Sequence, residues 1–193
     1  RPVGPARGVA AGGPERLRVA LDVRDGLAHG RVNDIYQDRG GYLWFSTWEG
    51  LSRFDGERFV NYGTDDGLPS PLINAVAEDS LGRLWVACHT GGIARLIDDP
   101  RDPRQSGAGS DSVARSASVA GARRKFAAHR VDASRESNVV GSILFDASGT
   151  LWCDTGAGLY RARIDSAGVP HFLSTARNRR ASEFPVGVQC GRK

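Results

Sequence analysis

Apolar and polar residues alternate along this chain in short runs, and the same punctuation separates one run from the next. Alternation of period two over four to seven residues predicts β-strands with one buried face. In the first stretch such runs cover 31–37, 42–47, 50–54 and 58–62. Turn signals part them at Asp38-Arg39-Gly40-Gly41, at Trp48-Glu49-Gly50 and at Asp55-Gly56. An Asp-Gly pair between two β-type runs is a strong hairpin signal. The pattern resumes over 72–78, 84–88 and 92–97. It returns over 139–145, 151–154 and 158–164, with 169–173 supplying one more strand.

The punctuation is itself a repeat. A D-x-x-G-x-L-W motif is written at Asp38, Gly41 and Trp44, at Asp79, Gly82 and Trp85, and at Asp146, Gly149 and Trp152. Each copy is followed by a Gly-Leu or Gly-Ile step and a basic residue: Arg53, Arg95 or Arg161. The first two copies lie 41 residues apart. A period near 40 with strand-and-turn chemistry predicts propeller blades. The expected fold is therefore all-β, in blades of four antiparallel strands, with about three blades visible and the ring incomplete. Every motif position has a structural reason. The Asp accepts backbone N–H groups in a tight turn, and the Gly takes a positive φ at little penalty. Leu and the residue after Trp face one side of the strand, and Trp faces the other. These nine residues are read as structural.

Three blade units follow, at about 21–63, 64–97 and 125–173. From Trp85 to Trp152 the spacing grows to 67 residues. The excess lies at 98–124, a Pro-, Ser-, Gly- and Arg-rich stretch expected to form a flexible surface insertion. Residues 1–20 read as a disordered leader and 174–193 as a disordered basic tail. The chain starts at Arg1 and contains no Met, which reads as a fragment or a processed product. A propeller needs at least about four blades to close. Three blades leave open lateral faces, so further blades or self-association are expected partners.

Composition narrows the function. The net charge of +4 resides on the flanks: the first 20 and last 23 residues hold nine basic and two acidic side chains, and the remainder is slightly acidic. That distribution argues against nucleic acid, whose readers gather basic residues on one structured face. No apolar run approaches the about 18 residues of a membrane span. Cys88, Cys153 and Cys190 form no metal or disulfide spacing, and His29, His89, His129 and His171 are scattered. Neither a metal nor a cofactor is expected. The carboxylates are turn residues rather than an acid/base pair, so no catalytic residue is assigned. What varies within the fixed repeat is the loop after the second strand: Trp48 and Glu49 in one copy, His89 and Thr90 in the next. These four are the candidate ligand contacts, because loops on a rigid scaffold carry specificity, and Trp48 could stack on a sugar.

Two stretches carry a family resemblance. One is Asp66-Gly67-Leu68-Pro69-Ser70, then Ile73-Asn74-Ala75-Val76, then Asp79 through Val86. The other is Asp25-Gly26-Leu27, Asn33, Asp38, Gly41, Leu43-Trp44, Gly50-Leu51 and Arg53-Phe54-Asp55-Gly56. Together they resemble the two-component regulator propeller repeat. The third copy departs, with Gly141 in place of Asn and no leading Asp-Gly-Leu. The resemblance implies a sensory, ligand-binding propeller from the periplasmic input region of a bacterial hybrid histidine kinase or related regulator. It implies a small-molecule or carbohydrate-derived signal and brings no shared catalytic residues. A protein–protein interaction scaffold is the alternative, and a propeller lyase or hydrolase is the third.

Overall fold

The aspartates of the three motifs close their turns in one shared geometry. In the computed structural model, which describes residues 20–97 and 125–174, Asp38, Asp79 and Asp146 each donate a backbone N–H to the carbonyl four residues on, at 3.0 Å in every copy. One carboxylate oxygen accepts the N–H of that same residue, Tyr42, Arg83 or Thr150, at 2.9–3.0 Å. The other accepts the indole N–H of Trp44, Trp85 or Trp152 at 2.9, 3.1 and 2.8 Å. The motif glycines sit at φ 89°, 78° and 78°, where a Cβ is disfavoured. Turn and tryptophan therefore form one unit.

These turns join strands into three separate antiparallel sheets of four. The first holds β1 (Val32–Gln37), β2 (Leu43–Thr47), β3 (Gly50–Phe54) and β4 (Phe59–Tyr62). The second holds β5 (Ile73–Glu78), β6 (Leu84–Cys88), β7 (Ile93–Leu96) and β8 (Phe126–His129). The third holds β9 (Val140–Phe145), β10 (Leu151–Thr155), β11 (Gly158–Ile164) and β12 (Pro170–Ser174). Each sheet is a meander in chain order. The first strands β1, β5 and β9 lie against one another from blade to blade. The sheets do not close into a ring.

Pleating sorts the side chains as the alternation requires. Trp44, Leu51 and Tyr62 leave the first sheet on one face and pack on Leu84, Val86, Cys88 and Phe126 of the second. Trp85, Ala87 and Ile93 leave the second and pack on Leu151, Cys153, Val140 and Tyr160 of the third. Trp44 and Trp85 are 2% and 0% exposed. Trp152, with no sheet beyond it among the described residues, is only half-buried.

The first strand of every blade bulges at the same place. One residue is left unpaired between Val32 and Asp34, between Ile73 and Ala75, and between Val140 and Ser142. A bulge re-aims the side chain it carries. Asn33 uses this to donate its amide to the Ile73 carbonyl of the second blade, and Asn74 donates to Val140 of the third, both at 2.7 Å. Gly141 occupies the third bulge and has no side chain to offer.

One expectation about the third blade needs correction. Residues 126–129 do not belong to it: Phe126–His129 pairs with β7, Leu96 opposite Phe126, and completes the second sheet. The unit expected at 125–173 therefore gives up its first strand. The second blade is written on both sides of the insertion, which is tolerable because loop-closure entropy grows only slowly with length. The missing Asp-Gly-Leu lead-in is replaced by 131–138. There Asn138, 3% exposed, accepts from Val131 N–H and donates to the Asp132 carbonyl, at 2.8 and 2.7 Å. The leader at 1–19, the insertion at 98–124 and the tail from 175 onward lie outside the described residues.

Removing the buried ring of Trp85 leaves a cavity between two sheets and strips Asp79 of an indole partner. Trp85→Ala is expected to destabilise by about 3–5 kcal/mol. Trp152→Ala, whose ring is already partly exposed, should lose less than about 2 kcal/mol. Urea unfolding of both variants checks the ordering, and equal losses would contradict this packing.

Candidate functional site

The turns between the second and third strands gather at the end of the blades opposite the aspartate turns. Their backbones are fixed in the same way in blades one and three. Thr47 and Thr155 donate their hydroxyls to the carbonyls of Gly50 and Gly158 at 2.8 and 2.7 Å. Each hydroxyl oxygen also accepts the N–H two residues on, from Glu49 or Ala157, at 3.2 Å. Gly50 is required here. Its φ is 132°, and a Cβ would meet the Tyr62 carbonyl oxygen at 2.5 Å. In blade two the hydroxyl is lost to Cys88 and the turn is one residue longer, closed by Cys88 N–H on the Gly92 carbonyl at 3.1 Å.

Trp48 stands at the tip of the first of these turns with 41% of its surface exposed. Three neighbours hold its ring. The indole N–H donates to Asn33 Oδ1 at 3.2 Å, the Arg31 guanidinium lies 4.1 Å from the ring centre, and the His29 ring is near-parallel at 6.4 Å. His29 is itself set by its Nδ1, which accepts the Arg31 N–H at 3.0 Å. Asn33 is the bulge residue that also bonds blade two, so Trp48 is anchored to the seam between blades. Glu49 beside it is exposed, and its carboxylate has no partner among the described residues.

His89 and Thr90 occupy the corresponding turn of blade two, and both are exposed. The His89 backbone N–H bonds the Leu72 carbonyl at 2.9 Å, which fixes the turn and leaves the ring outward. Among the described residues no hydrogen bond or ring contact joins the Trp48–Glu49 pair to His89 or Thr90. Around Trp48, singled out from the sequence, the structure places His29, Arg31 and Asn33, which the sequence did not name as its neighbours. The only signal for these was the recurrence of Asn at 33 and 74. Arg31 and His29 come to Trp48 because they lead into β1, whose Val32 lies opposite Thr47.

The motif residues take structural roles throughout. Hydrogen bonds from Ser148 and the Trp152 indole, with the Thr150 N–H, bring Asp146 down to about 2. Burial pushes Asp79 up, but the Arg83 N–H, the Trp85 indole and the Arg83 guanidinium outweigh it and hold the carboxyl below its usual range. Burial pushes the Cys88 and Cys153 thiols up to about 12. His129 is shifted down, by burial first and by Arg95 second. No group of three or more His, Cys, Asp or Glu placed to hold a metal ion occurs among the described residues. Two clefts, of about 300 and 350 Å³, lie on blade three around Arg161, Arg163, Thr150 and Leu173, away from the Trp48 turn.

Residues 26–49 and 67–90 match the family described as two component regulator propeller. Two stretches of the chain are thus similar to repeats of that type. A crystal structure of the extracellular domain of a hybrid two component system from B. thetaiotaomicron is similar, with a TM-score of 0.56 at 21% identity, over 81% of this chain and 20% of that one. The extracellular domain of a one component system from the same organism aligns with a TM-score of 0.42 at 17% identity, over 79% of this chain and 25% of that one. Virginiamycin B lyase from Staphylococcus aureus aligns at 0.47 and 16%, over 76% and 42%. The first likeness is one of fold. This chain spans about a fifth of the length of that structure. No curated protein matches the chain.

A carboxylate held low in the fold stabilises it above the unfolded aspartate value of about 3.9. That contribution is lost as pH falls through the folded value. For Asp146 the window runs from about pH 4 down to about 2. The urea midpoint should fall across it, and Asp146→Asn should start lower at pH 5 and fall less steeply. Parallel curves would contradict the assignment. Thiols raised to about 12 stay protonated and shielded. Alkylation at pH 8 with peptide mapping should leave Cys88 and Cys153 unmodified in folded protein and modified in denaturant.

Proposed function

From two regulator-propeller repeats on a bladed scaffold, we propose that this chain is a non-catalytic sensory segment of a bacterial two-component-type regulator, working outside the cytoplasm, in the periplasm. Its ligand is a small molecule of carbohydrate-derived type, received at the blade end around Trp48. The observation that carries this reading is the half-exposed Trp48 ring, fixed at a blade seam by Arg31 and Asn33. A sugar offers an apolar C–H face ringed by hydroxyls. A flat, pre-set aromatic beside a guanidinium and a free carboxylate, Glu49, is complementary to both. His89 and Thr90 on the neighbouring blade extend the same rim. The motif carboxylates are engaged in turns and the described thiols stay protonated, which favours recognition over turnover.

A ligand that binds only the folded state raises its stability, by about 2.7 kcal/mol at a hundredfold excess over Kd. Thermal unfolding against a panel of neutral and acidic oligosaccharides should yield at least one upward shift in Tm. Trp48→Ala should abolish that shift while changing the ligand-free stability by no more than about 1 kcal/mol. A panel that moves neither Tm nor tryptophan emission would remove the reading.

A further inference from the structure

The ring that packs on the motif tryptophan differs between the two seams. In blade one it is Tyr62, opposite Leu51 of β3, stacked on Trp44 at 5.8 Å and 1% exposed. His129 takes the same place in blade two, opposite Ile93 of β7, with its ring 5.9 Å from that of Trp85. One seam is thus lined by a phenol, which acid leaves neutral, and the other by an imidazole, which acid charges. The His129 Nε2 is buried and has no hydrogen-bond partner among the described residues.

A cation shares that indole. The Arg95 guanidinium carbon lies 5.9 Å from the Trp85 ring centre, as that of Arg53 lies 6.0 Å from Trp44. Arg95 has little room to draw back. Its Nη2 donates to the Ala167 carbonyl of blade three at 3.2 Å, and a Cβ at Gly168 would meet its guanidinium carbon at 2.6 Å. Its Nε is buried without a partner among the described residues. The carboxylates around the pair are already engaged. Asp165 accepts the Val169 N–H at 2.8 Å and pairs with His171 at 2.9 Å. Asp79 holds the Arg83 Nε at 2.6 Å and the Trp85 indole at 3.1 Å, and Asp132 holds the Tyr160 hydroxyl at 3.1 Å. Arg83 adds a cation beside Arg95, Arg130 follows His129 in the chain, and the Cys153 thiol in the same core stays protonated. Burial first, and Arg95 second, hold His129 below the ordinary histidine value, with Asp165 opposing them.

We propose that the seam between blades two and three is an acid-operated hinge: a proton on His129 sets two cations on one buried indole, and blade three loosens from blade two while the seam between blades one and two holds. The added charge is poorly solvated and lacks a free counter-charge, which is costly in a packed interior. It acts on Arg95, the residue whose bond to Ala167 crosses that seam. Tyr62 gives the other seam no such response. The hinge stands whether or not the Trp48 rim takes a ligand.

A histidine disfavoured as a cation in the fold stabilises it fully above the unfolded value of about 6.5, and this is lost as pH falls from there through the lower folded value. The urea midpoint of the full chain should therefore fall between about pH 8 and about pH 5, above the range in which the aspartates titrate. His129→Tyr, which installs the blade-one residue, and His129→Gln should each remove the fall. A His171→Gln background takes out the Asp165–His171 pair, which gains charge in acid and works in the opposite sense. By NMR of the unsubstituted chain, the His129 ring proton should titrate below about 6.5. Hydrogen exchange locates the opening. At about pH 5 the Gly92 amide, bonded to the Asn138 carbonyl, should exchange faster in the unsubstituted chain than in His129→Tyr. The Val76 amide, bonded to Asp34 in the other seam, should exchange alike in both. A His129 ring titrating at or above the ordinary value, a fall that survives both substitutions, or a Val76 amide that quickens with Gly92 would each overturn the proposal.

Discussion

In blades one and two the motif indole serves two blades at once, and the rest of the structure depends on that double duty. Its N–H is held by the aspartate that closes its own turn, and its ring lies on the next sheet. Burying a tryptophan removes its N–H from water, and an unpaired buried donor costs about 1–3 kcal/mol. The turn carboxylate removes that penalty and also fixes the angle at which the ring leaves the sheet. Blade spacing is thereby tied to turn geometry: Asp79, Arg83 and Trp85 are one rigid group. Neither the turn nor the seam would be the same without the other.

Apolar contact sets how closely the blades approach, while polar bonds set their register. Besides the bulge asparagines, Asp34 accepts the Val76 N–H at 3.0 Å, and Glu78 accepts the Arg39 N–H at 3.0 Å across the same seam. Such bonds have strict geometry, so a slide of one sheet over another would break several of them together. With the scaffold fixed this way, the repeated side chains are fully occupied in holding it. Chemical variety is left to the turns at one end, where Trp48 replaces the small residues of blade three.

The sequence made most of this scaffold legible because its signals are local. D-x-x-G-x-L-W encodes a turn and a strand within seven residues, and the strand limits expected from alternation match the observed ones closely. What it did not disclose is carried by distance or by shape. Phe126–His129 looked like the start of a new blade because nothing in those four residues says which strand they pair with. Asn33 looked like an ordinary strand residue because a bulge is a matter of register, visible only once β2 lies beside it. Asn138 stands in for an absent Asp-Gly-Leu by side-chain bonds that follow no motif. At the candidate site Trp48 stood out by its break with the repeat, while the place of His29 and Arg31 beside it depends on a strand register visible only in the ladder.

The split in the second blade has a consequence for the chain's modularity. Leu96 and Phe126 are neighbours in a ladder although 29 residues of chain pass between them. The ladder, and not the covalent link, keeps β8 in place. That connection departs from the end of the blade bearing the aspartate turns, the end remote from Trp48. It is therefore a natural point at which to cut and permute the polypeptide, or to graft in a foreign domain. Two halves severed there would still recognise each other through the β7–β8 ladder, the Phe126 ring against Tyr62 and the seam that buries Trp85 on blade three.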